Sequence, residues 1–159
     1  MTERSVTHAT FVVERSYPAS PERVFAAFAT LEAKSRWFGA PADTLAEDPM
    51  FDFRVGGRER FVAKQPPATY IYDAVFHDIV PGQRIVSVSE MYADGARISV
   101  SLETTELAPE GDGTKLAYTE HGVYLDGLDK PEYREQGYSA QLDKLGEILR
   151  AESLRAESH

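Results

Sequence analysis

The chain of 159 residues has no cysteine. Disulfides and thiolate chemistry are excluded, so the fold is held by its core and needs no oxidising compartment. There is no run of Lys and Arg, and the formal net charge of -9 opposes nucleic acid or an anionic membrane surface as a partner. No apolar run is long enough to cross a bilayer, and the opening MTERSVTHAT lacks the basic-then-apolar pattern of a secretory signal, so a cytoplasmic location is expected. Phosphate-loop, dinucleotide and serine-elbow motifs are all absent. The four histidines, His8, His77, His121 and His159, share no ligand spacing, and Glu120 and His121 are strand neighbours that point to opposite faces. Neither a metal nor a cofactor is expected.

What remains is an ordinary globular composition, 42% hydrophobic and 27% charged, enough for one domain with a real core. Its most regular stretch is the last. From Pro131 to about Glu152, Tyr138, Leu142, Leu145 and Leu149 recur at helical spacing, with Ile148 widening the stripe and Asp143, Lys144, Glu147 and Arg150 on the opposite face. Such a helix needs a surface to cover. The chain before it reads mostly as strand.

Residues 9–17 form a first strand ended by Pro18. Ser20 then caps a helix that begins at Pro21, and Thr30 caps a second short one ending near Trp37, with Gly39 and Pro41 as stop signals. In residues 50–63 Phe51, Phe53 and Val55 alternate with polar residues, and Gly56-Gly57 predicts a tight hairpin. Strands follow over 69–80, 84–92, 97–105 and 115–124, separated by Pro81-Gly82, Asp94-Gly95 and the Gly-rich loop 109–113. The expectation is an α+β protein: about seven antiparallel strands, two short helices after the first, and one long C-terminal helix. A single domain is expected over 9–152, with flexible termini at 1–8 and 153–159.

Several stretches match one family in order. They are ASPERVFAAF at 19–28, SRWFG at 35–39, FDFRVGG at 51–57, the long strand ending at Pro81-Gly82, and the final helix. The chain thereby resembles the bacterial branch of the activator of heat-shock-protein-90 ATPase homologue family, in the START-like or SRPBCC superfamily. The resemblance implies a helix-grip fold, a curved sheet around the C-terminal helix with a cavity between them. It implies a small, largely apolar ligand as the leading function. Superfamily relatives that cyclise polyketides, and a eukaryotic namesake that stimulates a chaperone's ATPase, keep two alternatives open: a cyclase-like or hydrolase-like enzyme, and a chaperone partner.

Side-chain parity nominates the lining. Ile98, Val100 and Leu102 are taken as inward in one strand, Leu116, Tyr118 and Glu120 in the last, and Val86, Val88, Glu90 and Tyr92 in the strand from 84. In the strand from 69, Tyr70-Tyr72-Phe76 and Ile71-Val75-His77 are both plausible inner sets. The nominated ligand contacts are Trp37, Phe51, Phe53, Val88, Glu90, Tyr92, Val100, Tyr118, Glu120, Tyr138, Leu142 and Leu145. Glu90, Glu120 and Tyr92 are the acid–base candidates, since a desolvated glutamate titrates nearer neutrality. The alternative is that both glutamates sit at wet strand ends, paired with Arg or Lys. Trp37 is expected either to line the cavity mouth or to pack the helix pair on the sheet with its indole N–H bonded to backbone. Gly137, unfavourable in a helix, marks the first turn as the place where a ligand enters. An exposed sheet edge or the helix pair would allow a homodimer.

Overall fold

A computed structural model describes residues 3–39 and 50–157. Pro41, one of the expected stop signals, lies outside them. The elements run β1 (Val6–Tyr17), α1 (Pro21–Ala29), α2 (Leu31–Ser35), β2 (Met50–Phe51), β3 (Arg58–Gln65), β4 (Ala68–Val80), β5 (Arg84–Ala93), β6 (Ala96–Glu110), β7 (Gly113–Leu125) and α3 (Pro131–Glu157). The strands form one curved antiparallel sheet in the order β1-β7-β6-β5-β4-β3-β2, with α3 across its concave face. This is the expected helix-grip arrangement. β1 starts three residues before the expected position and α3 runs on to Glu157, so residues 6–8 and 153–157 are regular structure.

Local chemistry sets the helices. The Ser20 hydroxyl accepts from the Arg23 N–H at 3.1 Å, and the Thr30 hydroxyl accepts from the Ala33 N–H at 3.1 Å, so each short helix has a bonded cap. Val24, Ala27 and Phe28 face inward. The Trp37 indole N–H donates to the Ala27 carbonyl at 3.0 Å and its ring meets Phe28 edge-on at 4.8 Å, which ties α2's exit back to α1. On α3, Leu142, Leu145 and Leu149 are fully buried. Gly146, on the same helix, lets the Tyr17 ring come close: a Cβ there would sit 3.2 Å from Tyr17 Cε1. The Tyr17 hydroxyl then donates to the Leu142 carbonyl at 2.8 Å.

Three sequence expectations are corrected. β2 has only two residues, because residues 52–57 turn on themselves. The Gly57 N–H donates to the Arg54 carbonyl at 2.8 Å, and a Cβ on Gly57 would collide with the Asp52 carbonyl. Val55 is therefore 58% exposed and is no part of an inner wall. In β6, the buried alternation runs through Ser99, Ser101, Glu103, Thr105 and Leu107, while Leu102 is exposed, so the expected parity is inverted. Ile98 is buried as well, because the register shifts by one residue opposite Met91 and Tyr92. In β5, Ile85, Ser87 and Ser89 face inward, leaving Val86, Val88 and Glu90 on the convex side. The open question in β4 resolves to Tyr72, Ala74 and Phe76 as the inner set.

A buried ion pair supports the sheet's far edge. Lys34 Nζ of α2 lies 2.6 and 2.8 Å from the two carboxylate oxygens of Glu59 in β3, with the Phe38 ring 4.5 Å below the ammonium. Removing one member leaves a desolvated charge, so Lys34→Met should lose about 3–5 kcal/mol in urea unfolding, with much of it recovered in Lys34→Met/Glu59→Leu. Equal losses in both variants would show that the pair is not coupled. Leu145→Ala should lose about 2–5 kcal/mol in the same measurement.

Candidate functional site

Between α3 and strands β3–β6 lies a cavity of about 220 Å³. Phe38 and Gly39 bound it after α2, Phe61 and Ala63 from β3, Tyr70 and Tyr72 from β4, Met91 from β5 and Glu103 from β6. Tyr133, Arg134, Gly137, Tyr138 and Gln141 close it from the first turns of α3. It reaches the surface beside Tyr133, which is 60% exposed. The walls are mainly aromatic: Phe38 meets Phe61 and Tyr72 edge-on at 5.3 and 5.0 Å.

The polar end is built by two strands in register. Glu103 of β6 and Glu120 of β7 are direct cross-strand partners, and both are buried. Like charges opposite one another are unfavourable, and donors crowd the pair. The Tyr118 hydroxyl lies 2.8 Å from Glu103 Oε2 and 2.6 Å from Glu120 Oε1. The Tyr72 hydroxyl is 2.9 Å from Glu103 Oε1, and the Ser101 hydroxyl donates to Glu120 at 3.1 Å. Arg134 reaches Glu120 through Nη2 at 3.3 Å and Nε at 3.4 Å. An arginine so near a helix N-terminus opposes the helix dipole, and Glu120 supplies the compensating charge.

These surroundings move the titrations. Burial, then the charge of Glu120, raises the Glu103 carboxyl above its ordinary value, with Arg134 acting in the opposite sense. Burial would lower the Arg134 guanidinium, but Glu120 and Glu103 more than reverse this and hold it charged. Burial and the neighbouring carboxylates raise Tyr72, Tyr118 and Tyr138, so all three phenols stay protonated as hydrogen-bond donors.

The expected site residues are distributed differently. Tyr138 lines the cavity, its ring 4.1 Å from that of Tyr118. Tyr118 and Glu120 stand behind the wall, as does Trp37, which is buried 5.8 Å behind the Phe38 ring. Leu142 and Leu145 belong to the solid core beneath α3. Phe51 and Phe53 stack together at 6.0 Å and pack on Phe76, beyond the Lys34–Glu59 pair. Val88 and Val100 are on the convex face, a consequence of the inverted parity. Glu90 is there too: it accepts from the Tyr92 hydroxyl at 2.6 Å and pairs with Arg97 at 3.4 Å, with about a third of its side chain in water. Glu90, with Tyr92, is therefore not brought together with the buried Glu120 as expected. Glu103 and Arg134 were missed. The signal for Glu103 was the register of the β6–β7 hairpin, since whatever lies opposite an inward Glu120 must also face inward.

The raised Glu103 value has a sign for stability. The folded chain keeps a proton that the unfolded chain releases near the ordinary 4.5, so stability declines as pH rises from there through the folded value and is level above it. Glu103→Gln should flatten this decline in urea titrations at a series of pH values. An unchanged slope would exclude Glu103 as its source.

The family described as Activator of Hsp90 ATPase homolog 1-like protein matches residues 18–150. A solved protein from Rhizobium leguminosarum is 41% identical with a TM-score of 0.88, covering 94% of this chain and 99% of its own. Mll3558 from Rhizobium loti is 44% identical with a TM-score of 0.82, covering 89% and 97%. CV1439 from Chromobacterium violaceum is 26% identical with a TM-score of 0.72, covering 88% and 96%. No curated protein matches. With the family pattern spanning most of its length and two solved structures above 40% identity, the chain belongs to the Activator of Hsp90 ATPase homolog 1-like family.

Proposed function

We propose that the protein binds a small, largely apolar ligand in the cavity between the sheet and the N-terminal turns of α3. The observation that carries this reading is the cavity itself: about 220 Å³, walled by Phe38, Phe61, Tyr70, Tyr72, Met91 and Tyr138, with Gln65, Glu103, Arg134 and Gln141 as the charged and amide side chains of its lining. Ligand sites share this pattern of apolar walls with few convergent polar groups, and a volume below about 300 Å³ suits a compound smaller than a typical drug. Flat rings fit such walls edge-on or offset. Tyr133, Gly39 and Gly137 frame the mouth, so the first turns of α3 are the side from which a ligand enters.

Gly137 makes the reading testable without damaging the fold. A Cβ placed there meets nothing within 4 Å, and the position borders the cavity. Gly137→Leu should stabilise α3 by up to about 1 kcal/mol, a melting shift of about 2–4 °C for a chain of this size, while filling the mouth. In native mass spectrometry and thermal-shift assays against one- and two-ring aromatic compounds, the wild type should take up one ligand per chain, and Gly137→Leu should take up none. A wild type that binds no member of such a panel would sink the proposal.

A further inference from the structure

The Tyr118 hydroxyl has one proton to donate, yet its oxygen lies within hydrogen-bond distance of two carboxyl groups, 2.8 Å from Glu103 and 2.6 Å from Glu120. Both contacts are hydrogen bonds only when one carboxyl supplies the second proton. Glu120 has the partners of an anion: Arg134 at 3.3 and 3.4 Å, Ser101 at 3.1 Å and Tyr124 at 3.4 Å. Glu103 makes no ion pair among the described residues; the other nearby cation, Lys34, is bonded to Glu59. The proton therefore sits on Glu103. It donates to Tyr118, Tyr118 donates to Glu120, and the Tyr72 hydroxyl donates to the remaining Glu103 oxygen at 2.9 Å.

With that arrangement the charges around the cavity cancel, Arg134 against Glu120 and Lys34 against Glu59. A charged ligand would enter this low-dielectric space without a counter-ion, which is costly. The arginine has five N–H donors, of which two reach Glu120, so a guanidinium edge remains beside the cavity it lines. We propose that Glu103 stands in the cavity wall as a neutral carboxylic acid, and that the site takes an uncharged ligand with an acceptor oxygen, an aryl ketone being the simplest, in preference to carboxylates and amines. This ligand class rests on the binding function proposed above.

Two measurements test it separately. In wild type carrying carbon-13 in its glutamate carboxyls, one signal should keep the protonated position at about pH 7, where an ordinary glutamate is ionised, and Glu103→Gln should remove that signal. All carboxyls titrating like ordinary glutamates would overturn the inference whatever binds. Acetophenone, benzoate and benzylamine, matched in size, are then compared by saturation-transfer NMR at the same pH. Acetophenone should bind, with the two charged probes at least about tenfold weaker, and Glu103→Gln should keep that order. Benzylamine or benzoate binding as tightly as acetophenone would overturn the ligand class. A protonated Glu103 signal with no probe bound would count against the ligand-binding reading and leave the proton arrangement supported.

Discussion

Two carboxylates face each other across adjacent strands with a single phenol between them, and the concave side of the sheet is arranged around that constraint. Glu103 and Glu120 are in direct register, so neither can move away from the other without breaking the β6–β7 ladder. Both side chains are buried. The fold answers with Tyr118 between the acids, Tyr72 on one side, and Arg134 brought in from the start of α3. That arginine ties the first turn of α3 to β7, while Leu142, Leu145 and Leu149 pack its later turns into the core. One cross-strand pair thus links the start of α3, through Arg134, to the electrostatics beside the cavity.

The neighbouring ion pair shows why Glu103 and Glu120 differ from Glu59. Glu59 has an ammonium within 2.8 Å of both oxygens and aromatic rings under the cation, so its charge is locally compensated. Arg134 reaches Glu120, at the longer distances of 3.3 and 3.4 Å. One arginine cannot balance two buried anions, and the imbalance falls on Glu103, the member without an ion pair among the described residues.

Element order was legible in the sequence because strong local signals agreed with one another: Ser20 and Thr30 as caps, paired turn residues between strands, and the leucine stripe of α3. Strand facing was only partly legible. In β5 and β6 the apolar alternation of Val86, Val88, Val100 and Leu102 lies on the convex side, while serines face in. β-Branched residues suit any pleated surface and do not by themselves mark the buried face. Small side chains at Ser87, Ser89, Ser99 and Ser101 leave room on the concave side for the rings of Tyr72, Tyr118 and Tyr138, so polarity there reflects size. Pairing across the loop 109–113 was the stronger constraint. It sets Leu102 opposite the outward His121 and Glu103 opposite the inward Glu120, a relation that hydropathy alone cannot supply.

The division of labour along α3 explains how one helix can serve both the core and a site. Its later turns carry Leu142, Leu145 and Leu149 into a densely filled interior where a change of one methylene is felt. Its first turns carry Arg134, Gly137 and Tyr138, which border open space. Gly146 belongs to the first kind, since the Tyr17 ring occupies the room a side chain would need. Gly137 belongs to the second, with nothing near its missing Cβ. Two glycines with the same cost to helix propensity thus have opposite structural reasons, close contact at one and an unfilled cavity at the other. At Gly137 a larger residue would fit and would favour the helix, so the reason for a glycine there is not packing, as it is at Gly146.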